Sequence, residues 1–415
     1  MREDTRQRIN ELLNQLVVLL AFSIPLYRKW VSIAAALIVI LWLAEGRLAD
    51  KLAALKRHRL TVAVAAFVGF AALSLAWSGD PASGLAYLAK YRYLLLVPII
   101  ATSLRDDFRD RVETAFLIGT ALSLAVSYAV FAGLVRFRDA YPGNPAPSMS
   151  HLDYSMVLAV GGLIALARLL EEERPLRQRL AWAALTAFVV SGLLINIGRS
   201  GQVAFVGAAL VLTPVILGRR SRRAAAGGLA AVVVVLVAAY LAVGPFRSRV
   251  LGGVRELEAA VVEGRYDSNQ GKRVAGAIVA LDMVRERPLV GTGVGATMER
   301  FRELLDERHP ELAPVVSWFP HFHNQYLQTV TETGLVGLAS LIGLMVVLAL
   351  GPSAGDHGRH LGVLLAVSYL LGFLGDPFLR KQLPLVLFAT VAGLASAPAR
   401  RPERQEAGSA AGGVP

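Results

Sequence analysis

The apolar residues of this chain fall in blocks near twenty long, not in amphipathic halves, and short arginine-rich stretches separate them. Blocks of that length are the signal of membrane-crossing helices. Twelve can be marked, over residues 11–27, 30–45, 60–77, 86–103, 112–134, 152–170, 180–197, 201–218, 224–243, 322–350, 358–375 and 382–398. The pattern predicts an all-α polytopic membrane protein of about twelve transmembrane helices. Spans one to nine occupy 1–244, a loop region 245–321, and spans ten to twelve 322–398.

Composition agrees with the pattern. Hydrophobic residues make up 55% of the chain and mean hydropathy is +0.52, against an apolar share of about 45–50% on a broader count in soluble domains. A net charge of +12 would suit nucleic acid, but its distribution excludes that reading. The positives gather in alternate short loops: Arg2, Arg6 and Arg8; Lys51, Lys56 and Arg57; Arg105, Arg109 and Arg111; Arg174, Arg177 and Arg179; Arg219, Arg220, Arg222 and Arg223; Arg359; and Arg400, Arg401 and Arg404. Such loops face the cytoplasm, so both termini are expected there. The chain has no cysteine, which removes disulfides and thiolate chemistry. Its first apolar block lacks a small-residue cleavage site and reads as a retained span. The Gly/Ala-rich tail 399–415 reads as disordered.

The loop 245–321 differs from all others. It carries eleven basic and eleven acidic residues, and VRELEAAVVEG and ATMERFRELLDERHPEL have the spacing of amphipathic surface helices. Pro288 and Pro310 close helical stretches within it. A helical subdomain on the non-cytoplasmic membrane surface is expected.

Ionisable groups at span ends are costly unless they have a task. On the non-cytoplasmic side they are His151, Asp153, Arg199, Lys272, Arg273, His321, His323, Asp376, Arg380 and Lys381. The cytoplasmic loops offer ordinary basic flanks, so any site should face outward. In NIGRSGQ (196–202) Arg199 lies in a tight turn, either snorkelling to lipid phosphates or held as a phosphate-binding guanidinium. In NQGKRVAGAIVALDMV (269–284) Arg273 opens a helix rich in small residues, as solvated surface or as an anion site at a helix start. GTGVG (291–295) lacks the spacing and the Lys-Ser/Thr of a phosphate loop and reads as a turn at the membrane surface.

The entrance to span ten, PHFHNQ (320–325), holds two imidazoles and two amides. A helix start favours the neutral imidazole, the form a proton acceptor needs; a pair of interfacial histidines is the plainer reading. HxH alone supplies two metal ligands, so no metal site is expected, and no cofactor. Further along the same helix Glu332 needs a protein partner or a wet cavity, and Thr331, Thr333, Gly334 and Gly337 form a small-residue packing face.

HNQYLQTVTETGLVG (323–337) resembles the signature of the O-antigen ligase and polymerase superfamily, a histidine and a small polar residue, nine residues, then Gly-x-x-Gly. RSGQ (199–202) and KRVAGAIVALDMVRERPLVGTGVG (272–295) resemble that family's two arginine elements. The likeness covers roughly 180–350; the first six spans match only as generic membrane helices. It implies a GT-C-type membrane glycosyltransferase of the bacterial inner membrane, with its loop subdomain and active site in the periplasm. The donor would be an undecaprenyl-diphosphate-linked glycan, and the acceptor a sugar hydroxyl of lipid A–core in lipopolysaccharide assembly. A lipid-linked repeat unit (a polymerase) or a protein hydroxyl are alternative acceptors, and a membrane transporter is the non-enzymatic alternative. On this reading His323 is the base, Arg199 and Arg273 hold the diphosphate, and His321 supports or substitutes for His323. Asn324 would orient the base and Asp376, in LGDPFLRKQ, would pair with an arginine or hold the imidazole. Lys272 and, with Lys90, Arg92 in AKYRYLLL are further candidates for the lipid diphosphate; the latter two suit a snorkelling belt equally.

Overall fold

The computed structural model of the protein describes residues 2–171, 175–351 and 355–397. Arg174 and the basic tail expected to be disordered lie outside them. The described residues are helical, with no strand beyond two isolated bridges near residue 140. In chain order the helices are α1 (Glu3–Ser23), α2 (Arg28–Ala44), α3 (Leu48–Arg57), α4 (Arg59–Leu73), α5 (Pro81–Leu88), α6 (Leu96–Ser103), α7 (Asp106–Phe131), α8 (His151–Glu171) and α9 (Leu176–Ile195). They continue as α10 (Arg199–Leu217), α11 (Arg222–Ala242), α12 (Gly244–Val262), α13 (Asn269–Glu286), α14 (Thr297–Arg308), α15 (Ala313–Val316), α16 (Gln325–Leu350), α17 (Gly355–Gly372) and α18 (Gln382–Ser396).

Among the described residues, eight helical segments are long and apolar enough to cross a membrane, or nine if α2 and α3, joined at a 114° bend, count as one. The protein is a multi-pass membrane protein. Each of the twelve expected blocks is helical, but four fall short of a full span on their own by length and composition, among them α2 with 17 residues, which passes only when joined to α3. Charges dilute the start of α1, α17 opens on polar residues, and α18 has 15 residues. The fourth block begins earlier than its hydropathy suggests: Pro81 starts a short helix that a tight-helical segment, Ala89–Leu95, joins to α6.

Centrally, α8 packs against α7, α9, α10 and α17. Without a hydrophobic drive between helices in lipid, close approach of small residues matters most. Gly201 at the start of α10 illustrates it: a Cβ there would sit 2.1 Å from the Ser155 carbonyl of α8. By contrast α11 buries none of its residues, as a helix facing lipid should.

Outside the bundle, α13 to α15 enclose a separate apolar core that includes Val279, Met283, Phe301, Leu304, Phe319 and Phe322. The chain after α13 then turns back as a strap. Thr292 and Gly293 N–H groups donate to the carbonyls of Thr331 and Glu332 (2.9 Å each), and Leu335 N–H donates to Pro288 O (2.8 Å). Gly334 makes this possible with φ +64° and ψ −166° inside α16, a region essentially restricted to glycine. The GTGVG and GLVG elements are therefore two halves of one joint, and the turn expected at 291–295 is hydrogen-bonded to the kink of α16.

Candidate active site

The opening of α16 resolves the polar puzzle residue by residue. Phe322 points into the outer subdomain core, 1% exposed, while His321 and His323 on either side of it come together. Their rings meet edge to face at 5.0 Å between centroids. Asn324 is the N-cap: its Oδ1 accepts from the N–H groups of Tyr326 (2.8 Å) and Leu327 (3.1 Å), the bond that makes asparagine a favoured cap. Gln325 is buried, its backbone N–H bound to Phe373 O and its Oε1 accepting from Leu379 N–H. Gln328 accepts from Phe322 N–H and donates to Glu332 (2.8 Å), which also receives Arg380 Nη1 (2.8 Å). Both amides thus fix the loop, and the intramembrane carboxylate has the partner it requires.

One imidazole is held for a purpose that packing does not explain. His323 Nδ1–H donates to Asp376 Oδ1 at 3.2 Å, which leaves Nε2 uncommitted on a side chain that is 27% exposed. Asp376 is fully buried, and its other oxygen meets Lys381, whose ammonium also reaches Asp153 of α8 at 3.4 Å. Burial pushes the Asp376 carboxyl up, but the bond from His323 and the charge of Lys381 outweigh it and hold the group below its ordinary range. Burial pulls Lys381 down, yet Asp153 and Asp376 together raise it. His321 goes the other way: burial drives it down to about 4, so it is neutral at physiological pH, and its Nδ1–H donates to Phe322 O (3.0 Å).

Two arginines converge on this pair. Arg273, four residues into α13, donates to the carbonyl of His323 at 3.4 Å. Burial and then, against the pull of Asp376, the charge of Arg199 lower its guanidinium; Glu256, the partner of Arg199, also accepts from Gln270 N–H in the first turn of α13 (3.3 Å), which sets Arg199 beside that helix start. Arg199 opens α10 and pairs with Glu256 of α12 at 3.4 Å. Gly201 N–H bonds Ser155 Oγ (3.1 Å), so the close helix contact also fixes where Arg199 begins. A third arginine, Arg249 of α12, was not singled out from sequence. It donates to Leu194 O (2.9 Å) and Asn196 O (2.7 Å), satisfying carbonyls that the end of α9 leaves open.

Other expected site residues lie apart. Lys272 rests over the Trp318 ring at 5.7 Å, and Arg92 is engaged with Ala89 O and the Tyr93 hydroxyl. The roles of Lys381 and Asp153 as carriers of Asp376 were not legible, since only the fold brings residues 153, 323 and 376 together. A sequence signal for Asp376 existed in the buried-turn composition LGDP.

Asp376 supplies a third possible ligand to the two histidines. Ligand atoms of His321, His323 and Asp376 lie within 4.8 Å of one another, a spacing a metal ion could use. The donor set fits it poorly: Lys381 and Arg273 would face the cation, and the Asp376–Lys381 contact already uses one carboxylate oxygen. The same atoms serve a hydrogen-bonded histidine–carboxylate pair without rearrangement.

No curated protein matches the chain. A family model described as O-Antigen ligase matches residues 182–342, from within α9 to within α16. The match takes in Arg199, Arg273, His323 and both glycine elements of the strap, and it ends before Asp376 and Lys381. Residues 182–342 thus form a domain of the O-antigen ligase family, whose members are membrane glycosyltransferases.

Proposed function

We propose that the protein is a ligase that moves a glycan from undecaprenyl diphosphate to a sugar hydroxyl of lipid A–core. Lipid-linked glycans and lipid acceptors are the substrates of the family at large. The proposed setting is the inner membrane, with twelve spans of GT-C type, cytoplasmic termini and a periplasmic site. The observation that carries the reading is the His323–Asp376 pair facing Arg273, with Arg199 beyond it.

The chemistry follows from those groups. The acceptor hydroxyl attacks the anomeric carbon of the donor sugar. Its new C–O bond forms as the bond from that carbon to the diphosphate oxygen breaks, and the electron pair departs on the lipid diphosphate. Direct displacement inverts the anomeric centre. His323 Nε2 takes the hydroxyl proton, while Asp376 keeps Nδ1 protonated and stabilises the imidazolium that forms. The guanidiniums of Arg199 and Arg273 are fixed donors for the developing diphosphate charge.

The test is transfer by purified, reconstituted protein given a polyprenyl-diphosphate glycan and lipid A–core, with and without a chelator, beside His323→Ala. Glycosylated lipid A–core that vanishes in the variant is the expected result. Longer lipid-linked glycans in place of that product would make the protein a polymerase. Transfer abolished by the chelator and restored by metal would give the His321–His323–Asp376 cluster a cation instead.

A further inference from the structure

We infer that a cluster of cations on tyrosine rings, formed by Arg28, Lys90, Arg92 and Arg138 above Arg380, binds the phosphate-bearing headgroup of the glycolipid acceptor. The inference rests on the ligase reading and names the part of the acceptor that is recognised.

These side chains are distant in sequence and joined in space. Arg138 lies over the Tyr27 ring at 5.1 Å. Its neighbour Arg28 donates to Gln382 Oε1 (2.5 Å), Gln382 Nε2 donates to Ser32 Oγ (2.6 Å), and Ser32 meets the Tyr93 hydroxyl (3.3 Å). Arg92 donates to that hydroxyl (3.2 Å) and stacks on the same ring at 4.6 Å. Lys90 sits over Tyr87 at 5.1 Å, with Arg380 against the same ring at 3.9 Å.

Three features separate this cluster from an ordinary cationic belt. First, among the described residues Arg28, Lys90, Arg92 and Arg138 have no carboxylate within ion-pair distance, whereas Arg285, Arg300 and Arg308 of the outer subdomain are all paired. Like charges gathered without counterions repel, and an arriving polyanion relieves that repulsion. Second, Arg138 has φ +53°, a conformation L-residues seldom adopt, and in it the guanidinium is laid on Tyr27. Third, Arg380 is 8% exposed, and its Nη2 is buried without a hydrogen-bond partner among the described residues, although Nη1 is held by Glu332.

Position assigns the cluster to the acceptor and not the donor. It reaches the site through the turn 376–382, where Gln382 follows Lys381, the partner of Asp376. Arg273 and Arg199 approach His323 from the outer subdomain and α10. The acceptor must enter without displacing the donor diphosphate, so a second phosphate-binding locus carried by other elements than those of Arg199 and Arg273 suits the acceptor.

The experiment uses full-length protein in zwitterionic nanodiscs, with retention of three probes measured: bis-phosphorylated lipid A, the same lipid after phosphatase, and phosphatidylglycerol. Expected is an about tenfold loss of lipid A retention for Arg28→Gln/Lys90→Gln/Arg92→Gln, a smaller loss for the exposed Arg138→Gln alone, and an about tenfold loss for wild-type with the dephosphorylated lipid. In transfer assays the acceptor KM should rise in the triple variant while the donor KM holds. Equal retention of phosphatidylglycerol and lipid A, or displacement of lipid A by millimolar inorganic phosphate, would overturn the headgroup assignment. Transfer with an unchanged acceptor KM in a folded triple variant would overturn the cluster and leave the ligase standing. Retention of lipid A without any transfer would do the reverse.

Discussion

Two histidine–carboxylate clusters sit at opposite ends of α8 and follow opposite rules. At its start Asp153 joins Lys381, Asp376 and His323. At its end Arg168 pairs with Glu113 (2.9 Å) and Asp110 (2.5 Å), while Glu171 accepts from His357 and His360 at 2.5 Å each. His357 also donates its Nε2–H to Glu113 (2.8 Å). With carboxylates on both its nitrogens, His357 has no lone pair to offer. His323 has one nitrogen committed and one free, and among the described residues Arg273 donates to a neutral carbonyl and meets no carboxylate, while Arg199 is paired with Glu256. His360 also has one nitrogen without a partner among the described residues, but it is sealed at 3% exposure; closed networks hold helices together, and an open one with surplus charge is where substrate chemistry can occur.

Removing the open histidine should have the largest effect. His323→Ala is expected to lower transfer by ~10²–10⁴-fold, the range of a positioned general base, with the thermal midpoint in detergent nearly unchanged. A variant that melts much earlier would mean that this pair, too, is mainly a strut.

The closed cluster should respond in the opposite way. Glu171→Gln leaves buried His360 and half-buried His357 facing a neutral amide, and breaking a buried pair such as His360–Glu171 costs about 3–5 kcal/mol. The melting midpoint should fall while turnover per folded molecule stays near wild-type. Loss of turnover at constant stability would show that the two ends communicate.

This contrast also marks what the sequence made legible. Arg199, Arg273 and His323 stand out because each interrupts an apolar pattern at a span end beside glycines or small residues. Asp110, Glu113, Arg168, Glu171, His357 and His360 do not, because three separate loops each look like ordinary polar flanks and only the packing of α7, α8 and α17 joins them. The flanks expected to be ordinary basic loop ends thus also carry a network of carboxylates and imidazoles. For the same reason Lys381 reads as one more interfacial lysine until the fold sets it between two carboxylates. Helix α3 escaped notice because it buries no residue and its apolar run is short. Hydropathy finds blocks, but not the 114° bend before it.

Lys381 gives a finer test of how the open cluster is held. It touches neither sugar nor phosphate in the proposed reaction, so it is a positioning residue. Lys381→Met should lower transfer by ~10–100-fold, the usual cost of losing an outer partner, and Lys381→Arg should restore most of it. Because Lys381 helps hold the Asp376 carboxyl low, its removal lets that group protonate at higher pH. The acid limb of the rate profile should therefore move upward in Lys381→Met and return in Lys381→Arg. A uniform rate loss with an unmoved limb would reduce Lys381 to a packing role.

The smallest effect expected is thermodynamic and belongs to His321. Its folded value is driven to about 4 by burial, whereas an unfolded chain would show the ordinary value of about 6.5. Between those values the unfolded state binds the extra proton, so stability rises with pH there and is lost as pH falls from 6.5 toward 4. Above 6.5 neither state is protonated and the contribution is flat. Wild-type thermal midpoints recorded across this window should fall more steeply than those of His321→Asn, which has no proton to gain. If both slopes agree, His321 is accessible enough to titrate normally, and the neutral neighbour assumed for His323 would be lost. A charged imidazole 5.0 Å from the base would repel the proton that His323 must receive, so this modest slope bears directly on whether the open cluster can act as a base at all.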